Sequence, residues 1–304
     1  MNSMRRTVCR ATVFLFLISS VGKVYAQEKT TTPTLKLDQQ IIPPPRRDVP
    51  GQRVAFSLGQ LYAPSFFSPS EGETYDLVVS FLGAPWCWEQ NFYDAGKNAI
   101  LVTVNTKDFD ATFKDPAAFQ KILDDVTSAV ETYHIAPGNN IGKVCLASFS
   151  GGYAGVRGIL RHEAYYAMVT DLVLGDSLYC GYLDEAKTQL NEEQLAPFLR
   201  FAKDASAGKK TMWFTQLYPP EEQYRSNTTT RTAFYLIDHA GGVRTPRDEV
   251  NKLGMRVLYS SDVGNFHVRG YAGMNNQDHF NHFYNISEYL AKTALRNAKP
   301  GPTP

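Results

Sequence analysis

The stretch Ser148-Phe149-Ser150-Gly151-Gly152 follows the apolar run Val144-Cys145-Leu146-Ala147 and leads into a helical pattern over 153–162. A serine on a tight turn between a buried strand and a helix stands at the sheet edge, where its hydroxyl can attack a carbonyl carbon. Such a turn needs small residues two places before and two places after the nucleophile. Ser148 and Gly152 satisfy this for Ser150, whereas Ser148 as nucleophile would be flanked by Leu146 on one side. The backbone N–H groups that open the next helix, Gly151 first, point toward any oxyanion formed there. The competing reading is an ordinary glycine-rich turn of a nucleotide-binding fold. Neither Gly-x-Gly-x-x-Gly nor Gly-Lys-Ser/Thr is present to favour it.

Serine is too weakly acidic to attack unaided, so a histidine must accept its proton and an acid must orient that histidine. Of six histidines, His279 in Asn276-Gln277-Asp278-His279-Phe280 is the leading candidate. It follows the last apolar run and a glycine-bearing loop, and precedes a closing helix expected over 283–295. His282 and His267 are the alternatives. For the acid, Asp176 ends the apolar run Leu172-Val173-Leu174-Gly175, while Glu221 and Glu222 follow a later run at 212–217, with Asp238 and Asp262 further on. A different chemistry is also written here: Asp278, His279 and His282 offer a carboxylate and a His-x-x-His spacing that can ligate a metal.

The turn, the order of strands and the C-terminal histidine resemble the α/β-hydrolase superfamily over about 53–298. The resemblance implies a serine hydrolase, carboxylesterase-like rather than peptidase-like, that cleaves an ester, thioester or amide through an acyl-serine on Ser150. His279 would be general base and Asp176 its acid, without a cofactor. It also implies two oxyanion donors, Gly151 and a residue of the loop after the third strand, here Gly83-Ala84-Pro85-Trp86. Ala84 or Trp86 can donate and Pro85 cannot. Trp86 and Tyr179 are then expected to line the substrate pocket, with Trp88 either beside them or in the core. This chain departs from the family in having Ser148 where the turn usually has glycine, and Leu82-Gly83 where His-Gly is frequent. A hydrolase-like binding protein without turnover is the alternative, against which both Ser150 and His279 are retained.

Elements of the right period must hold these residues in place. Short apolar runs at 53–58, 77–82, 100–104, 144–146, 172–174, 212–217 and 256–259 alternate with helical patterns. That alternation predicts an α/β fold: a mostly parallel central sheet of about eight strands with helices on both faces. Phe119, Ile122, Leu123, Val126, Val130 and Tyr133 recur at spacings of three and four, so 116–134 is expected as a helix, capped by Asp115 with Pro116 in its first turn.

Residues 1–26 read as a secretory signal: Arg5, Arg6 and Arg10, an apolar run at 13–18, and a cleavage site at Val24-Tyr25-Ala26. The apolar run is well short of the roughly 20 residues a membrane span requires. A secreted or periplasmic, soluble product without stable membrane insertion is therefore expected. Residues 27–52 are Pro/Thr-rich and read as a linker or arm, 53–298 as the catalytic domain, and 299–304 as a flexible tail. Outside the signal, 27 basic residues face 30 acidic ones with no basic cluster, which gives no footprint for nucleic acid. A small or medium-sized substrate is the expected partner, since no extended lid segment separates the sixth and seventh strands. In an oxidising compartment Cys87 and Cys180, each following a predicted strand, are the expected disulfide, with Cys145 left as a buried thiol.

Overall fold

The computed structural model describes residues 44–69, 74–138, 140–219 and 228–299. The expected signal, most of the 27–52 arm, Glu221, Glu222 and all but the first residue of the tail lie outside the described residues.

The strands are β1 (Gly51–Phe56), β2 (Gly59–Pro64), β3 (Thr74–Phe81), β4 (Ala99–Val104), β5 (Asn140–Phe149), β6 (Val169–Gly175), β7 (Thr211–Tyr218), β8 (Thr245–Val250), β9 (Arg256–Val263) and β10 (Phe266–Ala272). Among the described residues they form one sheet, in the order β1-β2-β4-β3-β5-β6-β7-β10-β9-β8. The six strands from β4 to β10 are mutually parallel. β1 and β2 at one edge, and β9 and β8 at the other, are antiparallel.

Ten strands replace the eight expected, for local reasons. The run at 53–58 breaks into a hairpin, so that Val54 of β1 faces Leu61 of β2. β8 is exposed throughout and pairs only with β9, so no apolar pattern announces it. β10 interleaves His267, Arg269 and Gly270 with its apolar residues, although it lies between β7 and β9.

The helices are α1 (Pro85–Ala95), α2 (Phe109–Phe113), α3 (Pro116–Thr132), α4 (Tyr153–Leu160), α5 (Glu163–Met168), α6 (Glu192–Ser206), α7 (Thr228–His239), α8 (Asn276–Tyr284) and α9 (Ile286–Leu290). β5 shows how the two faces are built. Val144 and Leu146 point into one apolar cluster, shared with α2, α3, α4, α6 and α7. Cys145, Ala147 and Phe149 point into a second, covered by α1, α8 and α9. Burial on both faces is why these strands read as continuous apolar runs. In α3 the expected stripe is buried at Phe119, Ile122, Leu123, Val126 and Val130, each contributing about 1.5–3 kcal/mol. Asp115 caps it by accepting the Ala117 N–H at 2.9 Å. Tyr133 lies just past the helix and is exposed.

The chain leaves β3 toward β4 on one side and leaves β5 toward β6 on the other. Between two adjacent parallel strands whose connections diverge, the carboxyl ends open into a crevice where ligands settle. The loops at 82–84 and 150–152 both emerge there.

Candidate active site

At the end of β5, Ser150 takes φ 51° and starts a single 3-10 turn, Ser150–Gly152, that feeds directly into α4. A serine in this left-handed region is strained by about 1–3 kcal/mol and persists only where its surroundings fix it. Two contacts do so. A Cβ on Gly152 would lie 2.3 Å from the Phe81 carbonyl oxygen, so only glycine lets the turn close onto β3. The Ser177 hydroxyl donates to the Ser150 carbonyl at 2.7 Å, and in turn accepts from the Ser148 hydroxyl at 2.7 Å. The Ser150 hydroxyl itself makes no hydrogen bond among the described residues.

Asp176 follows β6 directly, also at positive φ, 42°. Its N–H donates to the Thr215 carbonyl at 2.7 Å, and its Oδ1 accepts the Leu217 N–H at 3.1 Å. Its Oδ2 accepts from Nδ1 of His279 at 2.6 Å. The carboxylate is buried. Burial alone would raise its pKa, but the bond from His279, the charge of the His282 and His279 rings and the Leu217 N–H together outweigh that and hold it below the ordinary value.

His279 differs from expectation in its local setting. It sits inside α8, in the first turn, not on a loop before a helix over 283–295. Asn275 and Asp278 form a reciprocal capping box that starts α8 early: Asn275 Oδ1 accepts the Asp278 N–H at 3.0 Å, and Asp278 Oδ2 accepts the Asn275 N–H at 3.3 Å. The His279 ring stacks on Phe149 with centroids 4.5 Å apart. With Nδ1 bound to Asp176, Nε2 has no hydrogen-bond partner among the described residues. The structure thus brings Asp176 and His279 together beside the residue that precedes Ser150.

The alternatives go elsewhere. His282 is buried, with Nδ1 2.8 Å from the Thr215 hydroxyl, and burial pushes its pKa down to about 4. His267 pairs with Asp262 at 2.6 Å, at the end of the sheet where β7 and β10 begin and so away from Ser150. Asp238 pairs with Arg244 on the surface at 3.2 Å. Asp278 is held by its cap, His279 by Asp176 and His282 by Thr215, so these three side chains do not converge. Among the described residues no three His, Cys, Asp or Glu side chains are arranged to hold a metal.

No family model matches the chain, and no curated protein matches it. Among solved structures it is similar to carboxyl esterase 2 from the mycorrhizal fungus Tuber melanosporum, at 10% identity and a TM-score of 0.44, over 82% of this chain and 89% of that one.

The loop after β3 faces the turn that carries Ser150: a Cβ on Gly151 would lie 3.7 Å from Leu82 Cδ2. Its backbone groups can be accounted for one by one. The Gly83 N–H is taken by Asn105 Oδ1 at 3.2 Å, and Asn105 Nδ2 returns a bond to the Gly83 carbonyl at 3.0 Å. Ala84 opens α1 and accepts from the N–H groups of Cys87 and Trp88. Its own N–H donates to nothing among the described residues. Trp88 is core, fully buried, with Nε1 donating to the Leu82 carbonyl at 2.9 Å and its ring against Phe283. Trp86 is partly buried beneath the Arg46 guanidinium, 5.7 Å away. Tyr179 is partly buried and packs on Tyr153, 5.7 Å between ring centroids.

The expected Cys87–Cys180 disulfide is corrected. All three described cysteines are buried free thiols. Cys87 lies within α1, in the cluster on one face of the sheet, and Cys180 belongs to the cluster on the other. Emergence of two loops at one edge does not place their side chains on one face. Ser177 and Asn105 were not singled out in the sequence. The only trace of the first is that Ser148 stands where a glycine would serve the turn, leaving a hydroxyl in need of a partner.

Proposed function

We propose that the protein is a serine hydrolase that cleaves carboxylic esters through an acyl-serine on Ser150. One observation carries this reading: the buried Asp176 carboxylate holds Nδ1 of His279 at 2.6 Å while the ring lies on Phe149, next to the strained Ser150. Nδ1 is thereby fixed as the protonated nitrogen, and Nε2 is left as the base.

In this mechanism Ser150 Oγ attacks the carbonyl carbon as His279 Nε2 takes its proton. The carbonyl oxygen becomes an oxyanion, for which the N–H groups of Gly151 and Ala84 are the donors. His279 returns the proton to the leaving alcohol oxygen, the carbon–oxygen bond breaks, and the acyl group remains on Ser150. Water then attacks the acyl-serine, giving its proton to His279. Collapse releases the carboxylic acid and restores the Ser150 hydroxyl. Asp176 stabilises the imidazolium in both halves and transfers no proton itself. All of these roles use groups of the chain.

Export through residues 1–26 belongs to the same proposal, supported by the basic start, the apolar run and the small-residue cleavage site. The mature protein would begin at Gln27. The decisive test is labelling with a fluorophosphonate. Modification of Ser150, abolished in Ser150→Ala, is expected; labelling that survives the substitution would remove Ser150 from this role.

A further inference from the structure

The segment that carries His279 also exposes apolar surface in a way the fold does not need. Among the described residues, the large hydrophobic side chains left exposed are Tyr133, Leu183, Val243, Val250, Met274 and Phe280. Two of them, Met274 at 43% and Phe280 at 45% exposure, flank His279 in one short stretch. Isolated exposed apolar residues are ordinary, but an aromatic ring left open beside a reactive histidine marks a contact surface.

Phe280 is not loose. Its ring lies 5.5 Å from Phe149, 6.0 Å from His279 and 6.5 Å from Tyr284, centroid to centroid. It is the outermost member of an aromatic group that continues inward through Phe283, stacked on Phe149 at 4.8 Å. One side of the ring is thus braced, and the rest is open to solvent.

The stretch from Met274 to Phe280 offers no free charge. Between Met274 and Phe280 the chain has no lysine or arginine. The only carboxylate in that stretch, Asp278, is committed to the N–H groups of Met274 and Asn275. A charged ligand group would find no partner in this stretch, while an aromatic one would find a ring to pack on.

Which part of a substrate meets this surface follows from the proton path. This step rests on the serine-hydrolase reading: the histidine that takes the serine proton hands it to the leaving oxygen, so the leaving group departs on the side of His279. We propose that Phe280 forms a shelf for a neutral aromatic leaving alcohol, making esters of arylmethyl alcohols the preferred substrate class.

The test compares methyl, benzyl and cyclohexylmethyl esters of one short acid on the mature protein. Methanol and benzyl alcohol are of closely similar acidity, so the methyl and benzyl esters differ mainly in what the leaving group touches. A benzyl-to-methyl ratio in kcat/KM of about tenfold, about 1.4 kcal/mol, is expected. Phe280→Ala should bring the ratio to within about twofold of one, and Phe280→Tyr should restore it. Equal kcat/KM for benzyl and methyl esters in the wild type would overturn the shelf, as would a preference that survives Phe280→Ala. A cyclohexylmethyl ester as good as the benzyl ester would overturn its aromatic character. A change from dimer to monomer in Phe280→Ala with the ratio untouched would reassign the patch to self-association. Fluorophosphonate labelling of Ser150 runs in parallel. Labelling without a benzyl preference sinks this inference alone, whereas no labelling and no turnover of any ester sinks the hydrolase reading and this inference with it.

Discussion

The His279 imidazole is held from two directions at once: its face lies on Phe149 at 4.5 Å, and its edge is bonded to Asp176 at 2.6 Å. One contact fixes the plane of the ring and the other its rotation within that plane. Because Phe149 immediately precedes Ser150, the residue that orients the base belongs to the same strand end that presents the nucleophile. Phe149→Leu keeps most of the buried volume and removes the aromatic face. It is expected to cost roughly 1–2 kcal/mol of stability and to lower kcat between about tenfold and a hundredfold through misplacement of the ring. Urea unfolding and steady-state kinetics on a benzyl ester check both. An unchanged kcat would show that Asp176 alone suffices to place the histidine.

Asp176 accepts both the His279 Nδ1–H and the Leu217 N–H. Asp176→Asn can keep a similar shape but turns one acceptor into an NH2 group, which favours the wrong tautomer of His279. A fall in kcat of about 10⁴ with the fold intact is expected. Circular dichroism and turnover measured on the same preparation are the test. Near-normal turnover would return Glu221 or Glu222 to consideration.

Much of this site was legible in the sequence because it depends on local order. A serine between a buried strand and a helix must stand at a strand end, and Asp176 at the close of the next apolar run must stand at a neighbouring one. The contact of His279 with Asp176 spans 103 positions, yet the topology of a parallel sheet returns both to the same edge. What was not legible depends on which way a side chain turns. Cys87 and Cys180 share the edge but face opposite layers, and nothing in their spacing records that. The early start of α8 depends on the Asn275–Asp278 box, whose Asn-x-x-Asp spacing is too short and common a pattern to mark a helix start by itself. β8 has no buried face and therefore no apolar signal.

His282 makes stability depend on pH in a window of its own. Burial lowers its pKa from 6.5 to about 4, so between those values the unfolded chain binds a proton that the folded chain excludes. The stabilisation is fully present above about pH 6.5 and is lost as the pH falls toward 4, amounting to roughly 3 kcal/mol over the window. Asp176 acts lower. Its folded pKa lies below 3.8, so its contribution is intact above that value and disappears only as the pH falls through the folded value. Asp171, raised by burial, works in the opposite sense just above 3.8, which is why the comparison must be between two proteins. His282→Gln can still reach Thr215 but cannot titrate. Urea midpoints for wild type and variant at several pH values between 4 and 7 are expected to diverge, the variant being the flatter. Parallel curves would show that His282 does not remain neutral in the folded protein.

Ser177 joins the strand end that carries Ser150 to the loop that carries Asp176. Its hydroxyl donates to the Ser150 carbonyl and accepts from the Ser148 hydroxyl, both at 2.7 Å, and Ser148 and Ser177 are fully buried. Ser177→Ala would therefore leave the buried Ser148 hydroxyl without its partner and take the side-chain donor from the Ser150 carbonyl, at a cost of about 1–3 kcal/mol. It would also release one of the contacts that hold Ser150 at φ 51°. Ser148→Gly removes the hydroxyl that needs a partner but leaves Ser177 free to bond the Ser150 carbonyl. The two substitutions are thus expected to separate: Ser148→Gly close to wild type in the rate of fluorophosphonate labelling, Ser177→Ala slower by about tenfold, since a carbonyl that loses its donor lets the strained turn relax. Equal labelling rates in both variants would show that the turn is held by its packing on β3 alone, with the Ser177 hydroxyl contributing only to stability.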